Sequence, residues 1–214
     1  MFDKELSIII RNKNEAKHIK LALESVLKFF PNAEVIIMDN NSDDNSMEII
    51  NSFSNKIQLR SFDINDYTPG KSINFAVSKI NREYILILSA HCELLHIDYK
   101  VIIEELESHF ALFGEQIPYK NYNKINATNI WTHFSDRREI NMYSKIENRY
   151  FLHNAFCFYK TATLKYLPFD EILKGKEDRF WAKSIIEKGK SYVYNPLLKC
   201  NHYFTEKGAT WKDT

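Results

Sequence analysis

Short apolar runs alternate with segments of helical periodicity along roughly the first ninety residues of the chain. Four runs rich in β-branched residues predict β-strands, at residues 6–10, 35–38, 57–59 and 84–88. Apolar residues at three- and four-residue spacing predict helices between them, at 19–30 before Pro31, at about 44–53, and after Gly70. Two of the strands are apolar at nearly every position, which is typical of burial on both faces of a parallel sheet. The pattern therefore predicts an α/β fold with a mostly parallel central sheet.

The second half of the chain has a looser pattern, with aromatic and Asn-rich segments beyond about residue 108. An apolar run at 156–159 predicts another strand, and residues 177–188, closed by Gly189, predict a helix. No linker rich in Pro, Gly or Ser and no internal repeat separates the two parts. We therefore expect one domain over residues 1–214. Its two halves are 1–108 and 109–214.

Polar residues follow three of the predicted strands, at 11–15, 39–43 and 89–91. In parallel sheets, ligands bind outside the carboxyl ends of the strands. We therefore expect these three loops to converge on one crevice.

Composition narrows the function further. Hydrophobic residues make up 44% of the chain and aromatic residues 14%, with 5 Gly and 5 Pro, which indicates a packed globular protein. The 29 basic and 28 acidic residues leave a net charge of +1, so no basic excess indicates nucleic-acid binding. Cys92, Cys157 and Cys200 form neither a disulfide framework nor a zinc motif. The first apolar run is too short for a signal sequence or a membrane span, so we expect a cytoplasmic protein.

The loop from Asp39 to Ser46 has an acidic pattern with two interpretations. Alternate acidic and Asn positions begin like a calcium-binding EF-hand loop, but Asp44 replaces the required Gly and Ile50 the required Glu. A turn followed by a helix cap is the structural alternative. A carboxylate at a strand's end is equally suited to hold a nucleobase or a ribose hydroxyl.

Lys71 also has two interpretations. The segment 68–72 resembles the end of a phosphate-binding loop, but the first Gly of that motif is replaced by Asn65. Lys71 is therefore either a solvated lysine in the first turn of a helix or a cation near a diphosphate.

Four segments, in order along the chain, resemble glycosyltransferase family 2. They are Leu6-Ser-Ile-Ile-Ile-Arg-Asn-Lys-Asn-Glu15, Ala33-Glu-Val-Ile-Ile-Met-Asp-Asn-Asn-Ser-Asp-Asp-Asn-Ser46, Gly70-Lys71 with Asn74-Phe75-Ala76, and Gly175-Lys-Glu-Asp-Arg-Phe-Trp-Ala182. The resemblance implies a GT-A fold, a Rossmann-like three-layer sandwich, with a nucleotide-binding half at 1–108 and an acceptor-binding half at 109–214. It also implies inverting transfer of a sugar from a nucleotide-activated donor to a hydroxyl acceptor.

The resemblance also implies roles for individual residues. Asp178 would be the general base that deprotonates the acceptor hydroxyl, with Glu177 beside it setting its charge or position. A helix first turn stabilised by its dipole is the structural alternative for this pair. The implied donor contacts are Arg11, Asn14, Glu15, Asp39, Asn41, Lys71, Ser89 and His91. The implied acceptor contacts are Gln116, His153, Asn154, Arg179 and Trp181, with Trp181 equally suited to the core.

The chain departs from the family at the end of the fourth strand, where Ser89-Ala90-His91 stands in place of the Asp-x-Asp that binds a divalent metal. With Cys92, this segment resembles a subset of family 2-like bacterial proteins. In one interpretation His91 and His202 hold a metal such as Mn or Zn, since imidazole is a poor ligand for Mg. In the other, His91 donates directly to phosphate without metal. The loss of both carboxylates makes dependence on Mn or Mg doubtful.

We expect a sugar transferase of bacterial surface polysaccharide synthesis, such as capsule or lipopolysaccharide. The expected partners are a nucleotide-sugar donor and a glycan or lipid-linked acceptor, and peripheral association with the inner face of the membrane stays open. The alternative is a non-catalytic GT-A-like module that binds nucleotide or glycan. The lost Asp-x-Asp favours this alternative, and the Glu177-Asp178 pair opposes it.

Overall fold

A computed structural model gives the fold of residues 2–126 and 128–206. Its strands, in chain order, are β1 (Leu6–Asn12), β2 (Glu34–Asp39), β3 (Gln58–Asp63), β4 (Tyr84–Ser89), β5 (Cys92–His96), β6 (Ala111–Lys120), β7 (Asn123–Lys124), β8 (Glu139–Ile140), β9 (Tyr143–Ser144), β10 (Arg149–Tyr150), β11 (Phe156–Lys160) and β12 (Val193–Tyr203). Its α-helices are α1 (Ile19–Phe29), α2 (Ser46–Asn51), α3 (Pro69–Ser78), α4 (Tyr99–Ser108), α5 (Thr161–Tyr166) and α6 (Glu177–Glu187). Short 3₁₀ helices lie at Phe2–Glu5 and Asn129–His133.

One mixed sheet runs through the centre of the molecule in the order β3-β2-β1-β4-β11-β6-β12-β5. The first four strands in this order are parallel, which confirms the parallel sheet predicted from their apolar sequences. β11 is antiparallel to β4 and β6, and β12 runs parallel to β6. β9 and β10 form a separate antiparallel hairpin. Strands from the second half of the chain therefore extend the sheet begun by the first half.

Helices cover both faces of this sheet, because side chains alternate between two hydrophobic clusters along each strand. On β1, Ile8 and Ile10 face the cluster that contains α1, α2 and α4, while Ile9 faces the cluster that contains α3, α5 and α6. The result is the three-layer sandwich predicted from the sequence. No helix within the described ranges is long and apolar enough to cross a membrane.

The predicted elements of the first half are confirmed with small shifts of their ends. α1 ends at Phe29, just before Pro31, and α2 is shorter than the predicted helix. α3 begins at Pro69, and the hydroxyl of Thr68 caps it by accepting a bond from the backbone N of Lys71 at 3.1 Å. These elements follow from local patterns of apolar residues and turn formers, which sequence alone provides.

The start of α3 packs closely against the loop that precedes α6. A Cβ atom on Gly70 would lie 2.2 Å from the carbonyl oxygen of Asp170, so only glycine permits this approach. The amide of Asn74 donates to Phe169 O at 2.8 Å and accepts from Phe169 N at 3.0 Å. These contacts hold the 169–171 loop, and through it the beginning of α6, beside the carboxyl ends of the parallel strands.

Candidate functional site

The carboxyl ends of β1, β2 and β4 lie side by side. In the parallel register, Arg11 on β1 is the partner of Ser89 on β4, and Asn12 is the partner of Asp39 on β2. The loops that follow these strands begin at the same edge of the sheet, as expected from the sequence.

Asn12 links the first two of these loops. Its amide Nδ2 lies 2.7 Å from Asp39 Oδ1, 3.1 Å from Ser42 Oγ and 3.0 Å from Ser46 Oγ. The other oxygen of Asp39 accepts a bond from Ser42 N at 2.8 Å, and its side chain is buried. Asp39 therefore organises the turn that the sequence offered as an alternative, whereas the N-cap residue of α2, Asn45, makes no side-chain cap bond.

Two asparagines in the left-handed backbone conformation, Asn14 and Asn41, connect the same two loops by hydrogen bonds. Asn14 has φ of 54° and Asn41 has φ of 52°, a conformation that asparagine tolerates better than most residues. Asn14 Oδ1 accepts a bond from Asp43 N at 2.9 Å, and Lys13 Nζ donates to Asn41 O at 2.5 Å. The 11–15 and 39–43 loops thus form one hydrogen-bonded wall.

Glu15 connects this wall to the turn after β4. Its carboxylate lies 2.9 Å from His91 Nδ1 and 3.5 Å from His18 Nδ1. Burial works against ionisation of this carboxyl, but the bonds with His18 and His91 outweigh it and hold the pKa of Glu15 below its ordinary value. Glu15 is therefore an ionised carboxylate between two imidazoles.

His91 also lies beside His202 on β12, with 4.9 Å between the ring centroids. His202 is fully buried, and its Nδ1 is 2.9 Å from Gln116 Oε1. Burial, followed by the charge of neighbouring histidines, lowers the pKa of His202 well below its ordinary value. Its imidazole is therefore neutral at pH 7. The His153 ring lies 6.0 Å from the His202 ring, so three histidines meet behind the crevice.

Glu177 and Asp178 form the first turn of α6, and both are buried. Glu177 Oε1 accepts a bond from Arg11 Nη1 at 3.0 Å across the crevice. Burial, and then the carboxylate of Asp178, raise the pKa of Glu177. Asp178 Oδ2 accepts from the backbone N of Asn154 and from Arg179 Nη1, each at 2.9 Å. The two adjacent carboxylates are thus held by different basic partners.

The side chain of Arg179 is buried, and its polar contacts are made within the protein. Besides Asp178, its guanidinium donates to Leu152 O at 2.7 Å and to Glu147 Oε2 at 3.1 Å, and it lies over the ring of Phe151. These contacts fix the guanidinium beside the carboxylate of Asp178, and its contact with an acceptor stays a prediction. The sequence predicted its position in the helix but not the partners that engage it.

Two more predicted acceptor contacts lie in the interior. The side chain of Gln116 is bonded to His202 and only 1% of its surface is exposed. The indole of Trp181 donates to Leu167 O at 2.8 Å and packs against the ring of Tyr159 in the core. Trp181 takes the core position that its sequence also allowed, and contact of either residue with an acceptor stays a prediction.

Residues that the sequence analysis did not single out complete the site. Asn12 joins the loops, His18 shares Glu15 with His91, and Glu147 anchors Arg179. Burial alone would lower the pKa of Arg11. The charges of Tyr67, Glu177 and Asp178 outweigh burial and raise this pKa above its ordinary value, so Tyr67 also lies near the guanidinium. Only Asn12 had a sequence signal, as a polar residue at the end of an apolar strand.

The remaining predicted donor residue, Lys71, lies in the first turn of α3, after the loop that follows β3. Across residues 2–126 and 128–206, no group of three or more His, Cys, Asp or Glu side chains has the arrangement to hold a metal ion by itself. Any metal at this site would need ligands from a bound substrate or water.

Comparison with known proteins supports a family assignment. The family model described as Glycosyl transferase family 2 matches residues 7–173. No curated protein matches the chain significantly. S. aureus TarS 1-349, crystallised with UDP-GlcNAc, is 22% identical with a TM-score of 0.72, over 98% of this chain and 61% of that chain. The chain thus spans about three fifths of the length of that TarS fragment.

A second similar structure is GalNAc-T7 with UDP, GalNAc and Mn²⁺. It is 13% identical with a TM-score of 0.70, over 95% of this chain and 44% of that chain. At these identities the likeness concerns the fold, which is the GT-A fold predicted from the sequence.

Proposed function

The chain belongs to glycosyl transferase family 2, and we propose that it transfers a sugar, with inversion, from a nucleotide-activated donor to a hydroxyl acceptor. One observation carries the proposal. The buried carboxylates of Glu177 and Asp178 lie in the first turn of α6. The ion pair between Glu177 and Arg11 holds this turn at the carboxyl end of β1, where polar loops from three parallel strands meet. Carboxylates at the ligand-binding edge of a parallel sheet suit proton abstraction beside a bound nucleotide.

The donor would lie along the wall formed by the 11–15 and 39–43 loops. The nucleoside would be received by the loop that Asp39 and Asn12 hold in place, and Asn41 and Lys71 would lie along its path. TarS was crystallised with UDP-GlcNAc and GalNAc-T7 with UDP, so a UDP-sugar is the first donor to test. The leaving phosphates need donors or cations to receive their charge, and Arg11 and His91 lie at this edge.

The acceptor hydroxyl would be deprotonated by Asp178. A general base must be ionised and within hydrogen-bond reach of the proton that it removes. The backbone N of Asn154 and the guanidinium of Arg179 both donate to Asp178 Oδ2, and these bonds fix the position of its carboxylate. Glu177, which is paired with Arg11, would set the position of this turn.

Surface polysaccharide synthesis is the process that we propose for this transfer, with a glycan or lipid-linked acceptor. The protein would act in the cytoplasm, next to the membrane that carries such an acceptor. The family membership supports the chemistry of this proposal.

A transfer assay tests the proposed function. The purified chain is incubated with UDP-, GDP-, dTDP- and CMP-sugars and a panel of glycan and lipid-linked acceptors, with and without EDTA. Formation of a glycosylated product with an inverted anomeric centre is the expected result. Product with retained configuration would contradict inversion, and binding of nucleotide without turnover of any donor would contradict catalysis.

A non-catalytic nucleotide-binding module is the second candidate. It is favoured by Ser89-Ala90-His91, which supplies no carboxylate where family members bind a metal, and by the absence of a three-ligand metal group within the described residues. Calorimetric titration with UDP, GDP and CMP, beside the turnover assay, separates the two candidates. A module binds nucleotide but never releases it from a sugar donor.

A further inference from the structure

The β9-β10 hairpin lies outside the central sheet and packs on the beginning of α6. Glu147 in its turn joins the two elements, because its carboxylate lies 3.1 Å from Arg179 Nε and 3.5 Å from Lys176 Nζ. Arg179 also donates to Asp178, the proposed general base. The outer surface of the hairpin and of the start of α6 therefore borders the part of the crevice that holds this base.

Two large apolar side chains are exposed on these elements. Ile146 lies in the hairpin turn with 58% of its surface exposed, and Phe180 lies near the start of α6 with 45% exposed. The guanidinium of Arg149 lies 5.9 Å from the centre of the Phe180 ring, so the hairpin and the helix meet here. A single exposed apolar residue is ordinary, whereas apolar residues grouped on one surface indicate an interaction site.

Four cations accompany these apolar side chains. Lys145 and Arg149 lie in and beside the hairpin turn. Lys176 precedes Phe180 by four residues and Lys183 follows it by three, a spacing that places all three on one face of α6. We call the following set the hairpin surface: Lys145, Ile146, Arg149, Lys176, Phe180 and Lys183.

The charge of the hairpin surface is largely unbalanced. Lys145 and Arg149 form no ion pair among residues 2–126 and 128–206. Glu147 has a side chain that is only 11% exposed, and it is shared between Lys176 and the buried Arg179. The last cation of the set pairs with an exposed carboxylate at 3.6 Å. The surface therefore presents net positive charge to solvent, beside exposed apolar side chains.

This combination fits an anionic bilayer. Lys and Arg are attracted to anionic headgroups, while apolar side chains enter the boundary between headgroups and acyl chains. The aliphatic stems of Lys and Arg also cover apolar surface while their charged ends stay at the headgroups. A soluble polyanion would engage the cations but gain nothing from Ile146 and Phe180, and the cores of protein–protein interfaces are depleted in Lys.

We propose that the hairpin surface docks on the anionic headgroups of a phospholipid bilayer and holds the crevice next to it. The inference rests on the proposed function, because a lipid-linked acceptor lies in such a bilayer. Lys176 and Phe180 flank the Glu177-Asp178 turn, so docking through them brings this turn to the membrane surface. The hydroxyl of a lipid-linked acceptor then reaches Asp178 while its lipid stays in the bilayer.

Co-sedimentation with vesicles tests the surface directly. The untagged protein is expected to bind phosphatidylcholine vesicles that contain phosphatidylglycerol, to bind pure phosphatidylcholine weakly, and to lose binding in high salt. Lys145→Gln combined with Arg149→Gln is expected to weaken binding by about 30-fold, since each cation near an anionic surface contributes about 5-fold. Ile146→Ser is expected to weaken it by about 5- to 10-fold through lost apolar burial.

The matched control is Lys28→Gln combined with Lys56→Gln, which removes the same charge. Both lysines are exposed and lie over aromatic rings, those of Phe29 and Phe53. Phe53 belongs to the hydrophobic cluster on the opposite face of the sheet from α6. The control should bind vesicles like wild type. Circular dichroism and urea unfolding show whether each variant is folded.

A fluorophore at the hairpin turn reports whether that turn enters the bilayer. Cys92, Cys157 and Cys200 are buried, so a thiol-reactive label attaches to a cysteine introduced at the surface. Attached through Ile146→Cys, an environment-sensitive fluorophore should shift its emission to shorter wavelength when anionic vesicles are added. The matched position is Ser54→Cys, exposed just after α2, where the emission should not change.

Three results would overturn the proposal: wild-type protein that does not bind anionic vesicles, the same loss of binding in both double variants, or a fluorophore at position 146 that stays in water. Competition with soluble polyphosphate separates a bilayer from an anionic polymer. If polyphosphate binds as tightly as the vesicles and Ile146→Ser weakens neither, the surface recognises a polyanion, which also overturns the proposal.

The failure of this surface and the failure of the proposed function give different results. Sugar transfer to a water-soluble acceptor, by a protein that does not bind vesicles, rejects the docking surface and leaves the transferase. Vesicle binding that follows the expected pattern, in a protein that transfers no sugar from any donor, retains the surface and rejects the transferase.

Discussion

Arg11 and Glu177 form an ion pair that joins the end of β1 to the first turn of α6, with 3.0 Å between Nη1 and Oε1. Both side chains are largely buried, and 166 positions of sequence separate them. Arg11 is also the register partner of Ser89. The pair therefore fixes where the Glu177-Asp178 turn lies relative to the polar loops of the sheet.

Removing one partner of this pair is expected to destabilise the fold. Arg11→Met leaves the carboxylate of Glu177 buried without its counterion, which costs about 3 to 5 kcal/mol. Adding Glu177→Met to the same chain should recover part of this loss, because no unpaired charge remains. Urea unfolding of the wild type, both single variants and the double variant measures the coupling.

The control for this cycle is Lys20→Met. Lys20 and Glu24 form an exposed pair at 3.7 Å on α1, and loss of such a pair costs about 1 kcal/mol or less. If Arg11→Met costs no more than Lys20→Met, the pair does not hold the crevice together.

The assignment of the general base predicts a large loss of rate in Asp178→Asn. Because Asp178 also pairs with the buried Arg179, urea unfolding checks that the variant is folded under the assay conditions. Asp178→Asn preserves the shape of the side chain but removes the proton acceptor, so the transfer rate should fall by about 10²- to 10⁴-fold. Product formation under saturating donor and acceptor measures this. Glu187→Gln, at the exposed end of the same helix, should leave the rate unchanged. Full activity in Asp178→Asn would mean that another group removes the proton.

The sequence predicted what local patterns determine. Apolar periodicity and terminating residues predict β1, α1 and α6. The geometry of parallel strands predicts that the 11–15 and 39–43 loops converge. The sequence could not predict that Gln116 lies against His202. That contact depends on the pairing of β6 with β12, whose register shifts between Asn195 and Lys199.

The side chain of Trp181 illustrates the same limit at the level of a helix. Its position near the Glu177-Asp178 turn allowed either the crevice or the core. The direction in which it points is set by the packing of α6 on the sheet, through the rings of Tyr159 and Phe169. Local periodicity therefore locates a helix more reliably than it assigns the contacts of one side chain.

Gly114 lies where neighbouring strands pack so closely that a side chain would clash, which gives a prediction about stability. A Cβ on Gly114 would lie 2.3 Å from the ring of Phe156 and 2.6 Å from Leu198 O, in the region where β6, β11 and β12 meet. Gly114→Ala should therefore destabilise the protein by about 1 to 3 kcal/mol through overpacking. The matched control is Gly175→Ala, because no atom lies within 4 Å of a Cβ at that position.

Thermal unfolding of the two glycine variants measures the difference. Gly175→Ala should be neutral or stabilising by up to about 1 kcal/mol, because alanine restricts the unfolded chain more than glycine does. Equal melting temperatures for the two variants would show that the sheet adjusts around residue 114 at no cost.

Glu105 on α4 predicts how stability depends on pH. Its carboxylate accepts two bonds from Arg138, at 2.6 and 2.8 Å, and one from Asn195 at 2.9 Å. The bonds from Arg138 outweigh burial and lower the pKa of Glu105 below its ordinary value of 4.5. Beside it, burial lowers the pKa of His109 below 6.5, although the charge of Glu105 partly offsets this.

Both shifts have the same sign in their effect on stability. A depressed pKa means that the unfolded chain binds more protons than the folded protein, so stability falls as pH falls. The contribution of His109 to the free energy of unfolding is complete above pH 6.5 and is lost as pH falls below that value. The contribution of Glu105 is complete above pH 4.5 and is lost as pH falls through the lower pKa of the folded state. The free energy of unfolding should therefore decrease in two stages on acidification.

Glu105→Gln isolates the second stage. The variant should be less stable than the wild type at about pH 7, because Arg138 and Asn195 lose their ionised partner, and the difference should shrink toward about pH 3.5. Glu104→Gln is the control, since that neighbouring glutamate is exposed and pairs with Lys100 at 3.7 Å. Urea unfolding at several pH values measures each difference from wild type. A difference for Glu105→Gln that stays constant across this range would mean that the Arg138 contact does not depress its pKa, and that acid acts on stability through other carboxylates.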